Sequence, residues 1–205
     1  MKRVKWLMPK IIYLSIYFLT TQIIPAIGTS WNNFDPTYLF VQKIIFILLA
    51  ILFFKKELIG SLRIVKLRRA VYTVLITFGL MLFTYIIIAT MLNTEVVFAR
   101  YDWKILFFVE SIFLGPFVEE IAYRYCFINS DHRYLKIVTA SISSVLFAFN
   151  HAAAANYNLI FLLPFLVLGI ILSIFYIVEK NIWYSILAHS FFNFMIVITP
   201  LLISN

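Results

Sequence analysis

Apolar positions in this chain come in long unbroken runs, with the polar residues gathered between them rather than alternating with them. A helix that crosses a bilayer needs about 20 mostly apolar residues. Seven stretches meet that pattern: residues 11–27, 37–54, 71–92, 105–128, 135–154, 159–178 and 182–203. A transmembrane β-barrel would instead show short strands of alternating polarity. The connections are short, and no repeat or low-complexity tract stands out. The pattern therefore predicts an all-α, polytopic transmembrane bundle of seven spans, one integral domain over residues 1–205.

Composition agrees: 63% of the 205 residues are apolar and 13% charged, with a mean hydropathy of +0.98. Soluble domains carry about 25% charged residues, so an ordinary soluble domain and a disordered tail are excluded. The single cysteine, Cys126, excludes an internal disulfide, and a small apolar filler is its simplest role. A net charge of +8 would suggest nucleic acid in a soluble protein. Here it fits cytoplasmic loops and anionic lipid instead, with no nucleic-acid partner.

The basic residues orient the bundle. With the N-terminus in the cytoplasm, thirteen of the 17 fall inside: Lys2, Arg3, Lys5, Lys10, Lys55, Lys56, Arg63, Lys66, Arg68, Arg69, Arg133, Lys136 and Lys180. Only Arg100 and Lys104 fall outside, beside Asp35, Glu95 and Asp102, while Lys43 and Arg124 lie within spans. Such a split is a strong positive-inside signal. The first span has a rival reading as a signal peptide cleaved near Ala26-Ile27-Gly28. Its length favours a retained helix, and its removal leaves the other six spans oriented as before. Residues 55–69, basic with interspersed Leu, Ile and Val, read either as an amphipathic helix on the inner leaflet or as a solvated loop.

Ionisable residues inside spans are costly and mark functional sites by default. The fourth span holds Glu110, Glu119, Glu120 and Arg124, the fifth His151, and the seventh His189 and Asn193. Glu120 and Arg124 are four apart and share a helix face, with the carboxylate N-terminal to the cation. Glu119 points roughly 140° away from Arg124 and is left to face something else, as a general base would. Phe147 and His151 share a face, so the ring can buttress the imidazole. His189 and Asn193 also share one, offering donors of the kind that hold an oxyanion. Asn193 can equally bond His189 or join two helices. Lys43 and Glu110 each lie roughly 9 Å from the outer end of their spans, at the right depth to pair. Glu110 falls roughly 180° from Glu119 on an ideal helix, which makes that pair structural.

Three segments now stand in order: Glu119-Glu120-x-x-x-Arg124, Phe147-x-x-x-His151 and His189-x-x-x-Asn193. Together they resemble the three motifs of the CPBP intramembrane protease family. That family includes CAAX prenyl endopeptidases and the bacterial Abi proteins linked to bacteriocin processing or self-immunity. The resemblance covers residues 117–193, which would form the protease core, and the Asn-Ile-Trp-Tyr-Ser-Ile-Leu-Ala run before His189 is similar to the family's lead-in. It implies that Glu119 and His151 activate a water against a peptide carbonyl, and that His189 and Asn193 stabilise the oxyanion. Arg124 would organise the Glu119–Glu120 segment, with Phe147 as support. The first Glu of the pair carries the family's catalytic role, and Glu120 joins the candidate catalytic set beside it.

The resemblance implies a peptide or protein substrate in or at the membrane, a membrane-associated or secreted-peptide precursor. A non-catalytic immunity or scaffold protein on the same fold is the alternative. Glu119, His151 and His189 would be the ligands if a zinc ion takes part, but no His-Glu-x-x-His run is present, and metal-free hydrolysis is equally open. The Ile-, Phe-, Lys- and Asn-rich composition points to a low-GC bacterium, and with the seven spans to a multi-pass protein of a bacterial plasma membrane. One geometric conflict arises. On straight helices Glu119 and His189 lie roughly 10–14 Å from the cytoplasmic ends of their spans and His151 roughly 24 Å. A shared site then requires tilt, a kink, for which Gly115-Pro116 is suited, or a later start to the fifth helix.

Overall fold

The computed structural model describes residues 2–23, 36–93 and 105–203. Within them the chain is helical, without strands. Helix α1 spans Lys2–Phe18 and runs into a π-turn at Leu19–Ile23. It is followed by α2 (Pro36–Arg63), α3 (Leu67–Leu92), α4 (residues 105–126), α5 (Arg133–Asn150), α6 (Leu159–Glu179) and α7 (Ile182–Ile203). Among the described residues four helical stretches are long and apolar enough to cross a membrane: Tyr38–Arg63, Leu67–Leu92, Leu159–Glu179 and Ile182–Thr199. The first helix contributes a shorter apolar stretch, Leu7–Thr21. The protein is thus a membrane helical bundle. The end of the first expected span, including Ala26-Ile27-Gly28, lies outside the described residues, as do Asp35, Glu95, Arg100, Asp102 and Lys104.

α4 is not the single regular helix that the apolar run predicts. It is built of an α-turn at Ile105–Val109, a π-turn at Glu110–Leu114, an α-segment at Gly115–Glu120 and a second π-turn at Ile121–Cys126. Pro116 has no N–H to give to the carbonyl four residues back. The preceding amide, that of Gly115, bonds the carbonyl of Glu110 five residues back, the hydrogen-bond pattern of a π-turn. The amide of Phe127 likewise reaches the Ala122 carbonyl.

Around α4 the other helices close. Tyr13 and Tyr17 of α1 are fully buried. Their rings meet Phe46 of α2 edge-on at 5.4 Å, and Tyr17 meets Tyr123 of α4 at 5.6 Å. α5 and α6 pack through small residues, which let backbones approach in a membrane. A Cβ placed on Gly169 would lie 3.1 Å from Ser144 Cα and O, and the Ser144 and Ser173 hydroxyls lie 3.2 Å apart.

Two expectations about segment limits change. Residues 55–69 form neither a separate surface helix nor an open loop: α2 continues to Arg63 and α3 starts at Leu67. The corner is fixed by Trp183 Nε1 donating to Leu58 O (2.9 Å), Asn181 Nδ2 to Ser61 O (2.7 Å) and the Lys66 amide to Tyr184 Oη (3.0 Å). The fifth helix stops at Asn150, short of 154, with His151 as its C-cap and turns over 151–157.

Candidate active site

Arg124 has no exposed surface. One guanidinium nitrogen donates to Glu120 Oε1 (2.8 Å) and the other to the Gly169 carbonyl (3.1 Å). Its Cζ lies 4.6 Å from the centre of the Phe147 ring. A buried guanidinium needs a matching charge; here α4 supplies the carboxylate, α6 a carbonyl and α5 an aromatic face, while Nε has no hydrogen-bond partner among the described residues. Glu120, also fully buried, shares Oε1 with His189 Nδ1 at 3.0 Å. The expected Glu120–Arg124 pair is therefore present, and it extends into an Arg124–Glu120–His189 chain from α4 to α7. With Nδ1 engaged by Glu120, His189 keeps Nε2 for the cavity that it lines.

Glu119 has different neighbours. Its Oε2 lies 3.9 Å from His151 Nε2, and its Oε1 lies 3.3 Å from Lys43 Nζ. The adjacent carboxylates are thus divided, one to Arg124 and His189 and the other to Lys43 and His151.

The depth conflict between Glu119 and His151 is resolved locally, without a later start to α5, which begins at Arg133. Ser143 of α5 bonds the Tyr123 carbonyl, which sets the register of the two helices. From there Glu119 is about 6 Å along α4 and His151 about 12 Å along α5. Side chains lean back toward the N-terminus of their helix, and His151 Nδ1 is held 2.8 Å from the Phe147 carbonyl. The imidazole is thereby drawn inward to meet Glu119. Phe165 of α6 stacks on it at 4.5 Å, and the Phe147 ring lies 4.7 Å away.

Lys43 and Glu110 do approach, at 4.0 Å. However, the placement of Glu110 opposite Glu119 fails. A π-turn takes up an extra residue, and each residue of a helix is worth about 100° of rotation. The turn at Glu110–Leu114 swings Glu110 toward the face of Glu119. A Cβ on Gly115 would lie 3.6 Å from Glu110 Oε1 and 3.8 Å from Glu119 Oε1, and both glutamates line the same cavity. The contact of Lys43 with Glu119 escaped the sequence reading. Its depth in the span was the available signal, and that depth was matched to Glu110 alone.

The cavity has a volume of about 570 Å³. Glu110, Glu119, His151, His189 and Asn193 all line it, within walls that include Tyr85, Phe107 and Phe165. Asn193 Nδ2 donates to the Ser111 carbonyl at 2.8 Å, so one amide hydrogen ties α7 to α4 and the second remains to be given. Among the described residues no three His, Cys, Asp or Glu side chains are grouped so as to hold a metal ion. The Glu119–His151–His189 set is thus not assembled as ligands. Cys126 is buried among apolar neighbours at 4% exposure.

Residues 101–195 match the family model described as type II CAAX prenyl endopeptidase, Rce1-like. This segment belongs to the Rce1-like family. No curated protein and no solved structure matches the chain. The Rce1-like segment holds α4 to most of α7 and all of the motif residues, whereas Lys43 comes from outside it. At the level of the family, the match over this segment points to a membrane protease of the CAAX-endopeptidase type.

Proposed function

We propose that the protein hydrolyses a peptide bond of a membrane-associated or secreted-peptide precursor, with residues 117–193 as its protease core. The observation that carries this reading is the meeting of Glu119 with His151 at 3.9 Å, beside His189 and Asn193, in one cavity. Glu119 and His151 hold a water and take its proton as the oxygen attacks the scissile carbonyl. His189 Nε2, when protonated, and the second amide hydrogen of Asn193 donate to the oxyanion. The Glu120 carboxylate, already oriented by Arg124, compensates the charge on His189. The proton then passes from Glu119 or His151 to the leaving amine, and the products separate. Phe147 supports both His151 and Arg124 from beneath.

The exposed basic residues at one end of the bundle, Lys55, Lys56, Arg63 and Arg68 among them, suit contact with anionic headgroups of a bacterial plasma membrane. Precursors of exported peptides are favoured over prenylated proteins as substrates by the Ile-, Phe-, Lys- and Asn-rich composition, which points to a low-GC bacterium.

The test is cleavage of a peptide library by the purified protein in nanodiscs. Wild type should cleave, while Glu119→Ala and His151→Ala at equal expression should not. Normal cleavage by both variants would remove the mechanism. Full complementation of a deletion strain by Glu119→Ala would instead favour the immunity or scaffold role.

A further inference from the structure

The cavity reaches into the bundle from one end. Its walls come from the first turns of α2 (Leu39), the last turns of α3 (Tyr85 to Leu92), α4 from Phe107 to Glu119, the turn after α5 (Ala154 and Ala155), the first half of α6 and α7 from His189 to Val197. Successive helices run in opposite directions, so these positions lead inward from one end of the bundle to about its middle, where Glu119 and His189 lie. The other end carries the corner after α2 and the starts of α3 and α5, with Lys55, Lys56, Arg63, Lys66, Arg68, Arg69, Arg133 and Lys136, together with Lys180 after α6. Basic residues in short loops next to spans remain in the cytoplasm.

We infer that the reaction cavity is entered from the extracytoplasmic side. Given the peptidase reading on which this rests, the substrate is then a segment already across the membrane: an exported peptide, or the outward-facing end of an anchored chain. A C-terminus in the cytoplasm would meet the wrong end of the bundle. The walls favour apolar residues beside the scissile bond, because Tyr85, Ile88, Phe107, Phe161 and Phe192 frame the approach to the carboxylates.

The side can be measured without any cleavage. Cys126 is the sole cysteine, so Cys126→Ala gives a background for single reporters. Tyr157→Cys, 69% exposed in the turn after α5, marks the cavity end, and Ala154→Cys marks the cavity wall. Ile64→Cys, 67% exposed, marks the basic corner. Intact and permeabilised cells are treated with a membrane-impermeant maleimide. Tyr157→Cys should be modified in intact cells and Ile64→Cys only after permeabilisation, with Ala154→Cys following Tyr157→Cys. The reverse pattern, or Ile64→Cys modified in intact cells, overturns the inference. Tyr157→Cys modified outside with Ala154→Cys reached only after permeabilisation overturns the outward entrance alone. The labelling is indifferent to whether Glu119→Ala abolishes cleavage, so the two readings fail separately.

Discussion

α3 and α4 are successive passes of one bundle, built on opposite principles. α3 is a single unbroken helix whose buried positions, Ala70, Thr73, Thr77 and Met81, form a narrow stripe at three- and four-residue spacing. Leu75, Leu82 and Phe83 are left exposed, as suits a helix facing lipid, where backbone groups must be satisfied within the helix itself. α4 breaks that regularity twice with π-turns and buries Glu119, Glu120 and Arg124. It can do so because α2, α5, α6 and α7 supply matching groups: Lys43, Ser143, His151, Gly169 and His189. Irregular backbone and charge at membrane depth are tolerated where protein surrounds them.

The contrast is sharpest in substitutions. In α4, Glu119→Gln should lower turnover by about 10²- to 10⁴-fold, the range for losing a general base. Single-turnover cleavage by the purified variant measures it, and an unaltered rate would remove the distinction between the adjacent carboxylates. Glu120→Ala should act on the fold instead. It leaves Arg124 buried without its carboxylate, at a cost of about 3–5 kcal/mol, seen as a lower denaturation midpoint in detergent titrations.

Smaller effects follow from packing. Gly169→Ala should destabilise by about 1–3 kcal/mol, because its Cβ meets the backbone of Ser144, and the same titration reads it. Lys43→Met should be harsher than Lys43→Met combined with Glu110→Gln, since the double change leaves one fewer unmatched carboxylate. Equal, additive losses would show that the 4.0 Å approach carries no coupling. In α3, Leu82→Ala should shift stability by no more than about 0.5 kcal/mol, and a larger shift would place that face against protein.

Much of this contrast can be read in the residues themselves. The apolar runs specify helices, because hydrocarbon leaves the backbone no other partner. The i,i+4 spacing puts Arg124 over Glu120, and the same spacing carries Phe147 to His151. The limits of α5 and the corner at 55–69 were less legible. They depend on where a carbonyl finds a side chain from another helix, as Leu58 and Ser61 find Trp183 and Asn181.

The sequence by itself determined the helical membrane bundle, the identities of the groups available for chemistry and the pairing within one helix, because short-range geometry and the bilayer's demand for apolar surface are written residue by residue. Only the tertiary structure decided which carboxylate meets which base. Glu110 turns toward Glu119 through a π-turn that ideal periodicity does not contain. Lys43 arrives from a helix remote in sequence, and His151 is drawn inward by the Phe147 carbonyl. Each depends on distances of a few ångströms between separate helices, which spacing along the chain does not encode.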